Sequence, residues 1–126
     1  MISLKDYKNS KSVVGLVEKL FESKQTTHLY HLKTNSYSEH KALQAFYEGI
    51  EGFTDTFVET YQGQYGILKI EKINSSDVGD ISNYLEDCAK IFAIGRDSLS
   101  DSHLKNILDE ILTLTYKTLY KIKYLK

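Results

Sequence analysis

The stretch HLKTNSYSEHKALQAFYEGIEGFTDTFVE, residues 31–59, joins the end of one helix-like pattern to most of a second. Between the two patterns lies Thr34-Asn35-Ser36, a run of residues that favour turns and helix caps. Proline, the strongest breaker of helices, is absent from the whole chain. The stretch therefore predicts two long helices joined by a tight connection.

The first helix is predicted from apolar side chains that recur at steps of three and four between Val13 and His31. Ser10 or Ser12 can cap its start, and it should run to about Lys33. His28 and His31 continue the inner stripe of this helix.

The second helix is predicted to start after Ser36 or Ser38 and to extend to about Gln62, with Gly63 as its stop. Its apolar set is broad enough to contact neighbours on two sides. The set comprises Leu43, Phe46, Tyr47, Ile50, Phe53, Phe57, Val58 and Tyr61.

The segment that follows, residues 64–75, is ambiguous, since its isoleucines and leucine suit either a short strand or a turn of helix. Among helical neighbours we favour an ordered crossover with a short helix. A third helix should begin after Ser76 or Asp77 and end near Gly95.

A fourth helix should open near Ser100, with Asp101 in its first turn, where a negative charge suits the helix dipole. Two helices, a longer connection and two more helices predict an all-α fold, a four-helix bundle with one crossover between the second and third helices. At 126 residues the chain, 1–126, is expected to form a single domain.

Composition narrows the classes of partner. The formal net charge of −1 gives no overall attraction to nucleic acid or to an anionic membrane, so neither is expected as a partner. No apolar run reaches the length of a membrane span, and no signal-peptide pattern opens the chain. The single Cys88 falls on an apolar stripe and is expected to be a buried structural thiol. A cytoplasmic protein is the expectation.

One face of the second helix collects polar side chains. On a helical wheel, the members of this stripe lie within about 100° of His40. They are His40, Gln44, Glu48, Glu51, Asp55 and Glu59. Asp55 and Glu59 are adjacent on that face and can ligate or bridge one cation.

Two interpretations of this acidic stripe are open. A carboxylate-rich face opposite an apolar one is typical of any amphipathic surface helix, and a histidine such as His31 on an apolar face is commonly a core residue. Stacked carboxylates with no lysine among them, however, repel each other unless a cation neutralises them. Histidines with carboxylates suit iron, manganese or zinc as ligands.

The stretch from Thr27 to Gly63 resembles the ligand-bearing region of the Dps family, the mini-ferritins of the ferritin-like superfamily. That family has one histidine near the end of its first helix and a second early in the next. An aspartate and a glutamate follow the second histidine by fifteen and nineteen residues. Here these features are His31, His40, Asp55 and Glu59.

The resemblance implies a ferritin-like fold and a hollow homo-oligomer, up to a dodecamer, with metal sites between two-fold related subunits. His31 and His40 of one chain would face Asp55 and Glu59 of its partner and bind iron, with zinc or manganese as substitutes. Iron(II) would be oxidised there by peroxide or oxygen and stored. Gln44 stands where the family has an aspartate, which weakens the expected ferroxidase activity.

Two alternatives remain beside this hypothesis. One is a non-catalytic ferritin-like subunit that serves assembly or interaction, supported by the reduced ligand set and the ten tyrosines, which suit interfaces. The other is an unrelated four-helix protein whose acidic stripe is solvated surface. The pattern leaves His28 undecided between a residue that supports the metal site and a core residue.

Overall fold

A computed structural model of the chain describes residues 2–71, 73–74 and 77–126, and all regular structure within them is helical. The five helices of this described part are α1 Leu4–Ser10, α2 Val13–Lys33, α3 Tyr37–Tyr65, α4 Ile81–Asp97 and α5 Ser102–Tyr124. The predicted all-α class is confirmed. The predicted number of four helices is wrong, because the prediction lacked the short helix α1.

The first two long helices begin where serine caps predict. The Ser12 hydroxyl accepts a hydrogen bond from the Gly15 amide at 2.9 Å, and Ser36 does the same for Glu39 at 3.3 Å. Each cap satisfies one of the amides that the first turn leaves without a partner. The connection is residues 34–36, as predicted.

Helix α3 runs past Gly63, so the predicted stop there is wrong. The helix ends at Tyr65, and Gly66 follows with φ of 100° and ψ of 171°. A positive φ of that size strains any residue with a Cβ atom, whereas glycine adopts it freely. The backbone turn therefore uses the second of the two nearby glycines.

The segment between α3 and α4, residues 66–80, contains no helix in its described part, so the predicted short helix is wrong. Ser76, one of the two predicted starts of the next helix, lies outside the described residues. Helix α4 begins at Ile81, and the Asp80 carboxylate before it accepts hydrogen bonds from the amides of Ser82 and Asn83. The helix ends at Asp97, two residues beyond Gly95.

The last helix starts later than predicted, because Asp101 lies before α5 rather than in its first turn. Its carboxylate makes no cap hydrogen bond and instead accepts hydrogen bonds from Tyr65 and from Gln64, the latter at 3.1 Å. These contacts attach the end of α3 to the start of α5. A second contact, between Lys33 and Asp77 at 2.7 Å, brings the segment before α4 to the end of α2.

Helix α1 escaped prediction because seven residues are too few to show helical periodicity. Its anchor is Tyr7, which is 1% exposed. A Cβ atom added at Gly95 would lie 2.9 Å from the Tyr7 hydroxyl and 2.7 Å from Leu16, so any larger residue there would displace one of these side chains.

The four long helices enclose one core. Helix α2 packs against α3 and α4, and α5 packs against the same two helices from the other side. Residues of all five helices enter the core, among them the fully enclosed Phe46, Phe57 and Phe92. Within the described residues, no helix is both long enough and apolar enough to cross a membrane.

Candidate functional site

The two predicted histidine ligands lie together at the turn between α2 and α3. The rings of His31 and His40 stack with centroids 3.6 Å apart and planes inclined by 16°. Each ring also binds the backbone of the other residue. His31 Nδ1 donates to the His40 carbonyl at 2.6 Å, and His40 Nδ1 donates to the His31 carbonyl at 2.8 Å.

These reciprocal hydrogen bonds place a proton on Nδ1 of both rings. A carbonyl oxygen only accepts hydrogen bonds, so each Nδ1 carries its proton. In the neutral form of each imidazole, the lone pair is then on Nε2. Metal-binding histidines commonly show this arrangement, in which one ring nitrogen donates to a carbonyl and the other is left for the metal.

A third histidine and a tyrosine extend the ring cluster. The exposed His28 stacks on Tyr47, with centroids 4.1 Å apart, and Tyr47 meets the edge of the His31 ring at 5.3 Å. Tyr47 follows His40 by seven residues, two helical turns, and this spacing was the signal that could have placed it in the cluster. His28 thus lies beside the histidine pair and outside the core.

The two predicted carboxylates lie far from the histidines of the same chain. Asp55 and Glu59 are on α3, fifteen and nineteen residues beyond His40, which puts them about 22 and 28 Å away along the helix axis. Both are exposed. Within residues 2–71, 73–74 and 77–126, no three histidine, cysteine, aspartate or glutamate side chains are close enough to hold a metal ion together.

The acidic stripe is partly neutralised from the neighbouring helix. Lys24 of α2 pairs with Glu51 at 3.0 Å, and Gln44 donates a hydrogen bond to Glu48 at 3.1 Å. Helical periodicity within α3 alone could not show Lys24, because that lysine comes from another helix. Among the described residues, no lysine or arginine forms an ion pair with Asp55 or Glu59.

A second polar cluster, which the sequence analysis missed, is buried between α2 and α4. Lys19 and Glu22 form an ion pair at 2.6 Å, with side chains 2% and 3% exposed. The Tyr84 hydroxyl donates to the same Glu22 oxygen at 2.7 Å, and the Lys19 ammonium lies 4.8 Å from the centre of the Tyr84 ring. Lys19 also donates to the Ile2 carbonyl at 3.3 Å. The spacing of three residues between Lys19 and Glu22 was the available signal.

Burial raises the pKa values of three side chains in the core, those of Tyr7, Tyr84 and Cys88. It raises the pKa of the Cys88 thiol to about 12, and it raises the pKa of Tyr7 to about 12 as well. The pKa of Tyr84 is raised above its usual range, first by burial and then by the nearby Cys88 and Glu22. A thiol of such high pKa is protonated and unreactive at neutral pH. The prediction of Cys88 as a buried structural thiol is confirmed.

Comparison with known proteins assigns this chain to a family without revealing its activity. A model described as a family of unknown function, DUF5856, matches residues 31–122. The match begins at His31 and includes His40, Asp55 and Glu59, together with all of α3, α4 and most of α5. Neither the curated proteins nor the solved structures include a significant match. Because the matched range covers well over half of the sequence, the chain belongs to the DUF5856 family of unknown function.

Proposed function

We propose that this protein is a Dps-like, iron-binding member of the ferritin-like superfamily, with a metal site between two subunits. The observation that carries the proposal is the His31–His40 pair. Its reciprocal hydrogen bonds hold both rings in place and leave both Nε2 atoms as candidate ligands.

The position of the carboxylates supports an intersubunit site. Asp55 and Glu59 are exposed, and they lie about 22 and 28 Å from His40 along the axis of α3. One chain therefore cannot bring all four side chains to one ion. Two α3 helices paired antiparallel by a two-fold axis would bring the histidine end of each against the carboxylate end of the other. Such an axis makes two identical sites per dimer.

Two contacts support the ferritin-like crossover. The end of α3 is attached to the start of α5 through Tyr65 and Asp101, while Asp77, ahead of α4, contacts Lys33 at the end of α2. With α2 and α3 antiparallel, these contacts lie at opposite ends of the bundle. Gly66 and Asp77 would then lie at opposite ends of the bundle, and α4 would be parallel to α3.

Iron(II) is the substrate in this proposal. Imidazole nitrogens favour iron over magnesium, and carboxylates neutralise the greater charge of iron(III). Each iron(II) ion gives up one electron, so two ions reduce one peroxide, with two protons, to two waters. Gln44 is neutral and donates its amide to Glu48, so a second metal position would lack an anionic ligand there.

The first test is aerobic oxidation of iron(II), followed by near-ultraviolet absorbance. We expect wild-type protein to oxidise iron faster than Asp55→Ala/Glu59→Ala, which should match buffer. The control is Asp87→Ala/Glu110→Ala, which removes the same charge from exposed positions on α4 and α5. Equal traces for wild type and Asp55→Ala/Glu59→Ala would exclude oxidation at this site.

A complementation test asks whether the site is shared between chains. His31→Ala/His40→Ala and Asp55→Ala/Glu59→Ala each leave no complete site in a homodimer. Subunits mixed in equal amounts form hybrid dimers with one intact site of two, so about one quarter of the wild-type sites should return. Anaerobic cobalt(II) titration would count them by absorbance, independently of turnover. No recovery in mixtures that do exchange subunits would rule out the shared site.

A second candidate function is assembly without metal chemistry. It is favoured by the wide separation of the predicted ligands within the chain and by two exposed leucines on α2, Leu29 at 43% and Leu32 at 68% exposure. These apolar side chains lie close to the histidine end of α2 and suit a contact with another subunit. Sedimentation analysis with and without iron separates the two: this candidate forms the same oligomer in both conditions and binds no cobalt.

A further inference from the structure

The second half of α5 carries an exposed row of tyrosines. Tyr116, Tyr120 and Tyr124 follow one another at intervals of four residues and are 56%, 56% and 71% exposed. Four residues of helix rise about 6 Å, so the rings are spaced regularly along one face. The Tyr120 and Tyr124 rings have centroids 6.0 Å apart. We call these three residues the tyrosine row.

Lysines flank the tyrosine row on both sides. On the α4 side, Lys90 and Lys123 join the row in lining a groove of 390 Å³ between α4 and α5. On the α3 side, Lys121 lines a smaller hollow with Lys41, and Lys117 lies one turn earlier on α5. Within residues 111–126 there are four lysines and no carboxylate side chain.

Most of this positive charge is available. Lys123 pairs with Glu86, which also lines the groove. Among the described residues, no carboxylate forms an ion pair with Lys90, Lys117 or Lys121. The net charge of −1 conceals this surface, because the carboxylates of the acidic stripe on α3 offset these lysines only in the total for the chain.

We propose that the tyrosine row and its flanking lysines bind single-stranded nucleic acid. Proteins that bind single strands without sequence preference combine aromatic rings, on which successive bases stack, with cations that follow the phosphates. Both are present here, and the row extends along the cationic groove. Stacking on rings needs unpaired bases, so a duplex fits this surface poorly. The surface uses stacking and phosphate contacts, so DNA and RNA strands should bind alike.

The experiment is fluorescence anisotropy with labelled oligothymidylate and oligouridylate, using the full, iron-free chain. Tyr120→Leu should weaken binding about tenfold, and Tyr120→Phe, which keeps the ring, should change it by twofold or less. The matched control is Tyr65→Leu, an exposed tyrosine at 52% beyond the reach of these lysines, which should bind as wild type does. Thermal melting of each variant confirms that the bundle is intact.

The contribution of the lysines is tested by measuring how the affinity for oligonucleotide depends on salt concentration. Two phosphate contacts contribute about 1.4 to the slope of log affinity against log salt for a single strand, so Lys117→Gln/Lys121→Gln should reduce that slope by about this amount. Lys5→Gln/Lys8→Gln, on α1, removes the same charge elsewhere and should leave the slope unchanged.

Competition experiments distinguish a site for single-stranded nucleic acid from a site for any polyanion. Polyphosphate, which has charge without bases, should compete at least tenfold more weakly than oligothymidylate, and a duplex of equal length should also be weaker. If polyphosphate or the duplex competes equally, the tyrosines do not stack on bases and the proposal fails. Tighter binding of polyglutamate would assign the surface to acidic peptides, and absence of oligonucleotide binding would also overturn the proposal. None of these outcomes depends on iron.

Discussion

Two polar clusters involve α2, one shared with α4 and one with α3, and they differ in how many of their polar atoms have partners within the chain. Lys19 and Glu22 are buried against Tyr84, and their charged groups bind each other, the tyrosine and a backbone carbonyl. His31 lies about two and a half turns beyond Glu22 towards the carboxyl end of α2. It pairs with His40 of α3, and each ring binds the protein through Nδ1. In the first cluster the charged groups have partners within the chain, whereas in the second the hydrogen bonds of the described residues use only Nδ1 of each ring.

This difference separates polar groups that serve packing from polar groups that could also take a ligand. A buried charge whose partners are all in the chain contributes to a specific packing arrangement, and its removal damages the fold. The proposed metal site uses the Nε2 atoms of His31 and His40, which lie outside those hydrogen bonds, so the proposal predicts a larger effect of these rings on metal binding than on folding. Mutations in the two clusters should therefore change different measurements.

The largest effect is expected in the cluster buried between α2 and α4. Lys19→Met leaves Glu22 buried without its cation, and such a loss costs about 3–5 kcal/mol of unfolding free energy. Urea unfolding measures it directly. The double variant Lys19→Met/Glu22→Leu removes both charges and should recover most of that loss. A Lys19→Met protein as stable as wild type would show that Glu22 does not depend on Lys19 as its buried cation.

Alkaline pH should act next in size, through the buried side chains of Tyr7 and Cys88. Tyr7 and Cys88 have pKa values of about 12 in the folded protein, against ordinary values of 10.0 and 9.0. The unfolded chain therefore loses these protons first. Stability should be complete below about pH 9 and fall as pH rises towards 12, by up to about 1.4 kcal/mol per pH unit for each group.

Urea midpoints measured from pH 8 to 11.5 check this slope. Cys88→Ala should be less stable than wild type at pH 8, because the substitution leaves a small cavity, yet it should lose less stability as the pH rises. The same slope in both proteins would remove Cys88 from the explanation.

The smallest effect on folding is expected at Asp55 and Glu59, the exposed carboxylates that the proposal sets opposite the histidine pair of a second subunit. Asp55→Ala/Glu59→Ala relieves the repulsion of two carboxylates one turn apart and should raise the unfolding free energy by a few tenths of a kcal/mol. Iron or cobalt binding should nevertheless disappear. A loss of several kcal/mol would mean that these exposed carboxylates stabilise the bundle, which contradicts their repulsion as like charges one turn apart.

Much of the local structure could be predicted from the sequence, because its determinants are local. Serine caps set the starts of α2 and α3, and the turn at residues 34–36 follows from its composition. The family resemblance predicted that His31 and His40 belong to one site, but it did not predict that their rings stack on each other. Boundaries failed where the deciding contact is distant, as at Asp101, whose carboxylate binds Tyr65 instead of capping α5.

The remaining features depend on contacts between helices that periodicity does not encode. Lys24 neutralises Glu51 from another helix, and Tyr84 reaches Glu22 from a position 62 residues later in the chain. The tyrosine row has a clear spacing in the sequence, but only the packing of α4 beside α5 brings Lys90 to its edge. Contacts of this kind can be identified only from the packing of the helices in the structure.

The lengths of the connections bear on the order of folding. The turns at residues 34–36 and 98–101 are short, so α2 with α3 and α4 with α5 can form helical hairpins through contacts between sequence neighbours. Residues 66–80 separate the two hairpins and make their docking the entropically costly event. With no proline in the chain, no slow prolyl isomerisation should interrupt that sequence of events. The His31–His40 pair belongs to the first hairpin alone and should be formed before the halves meet.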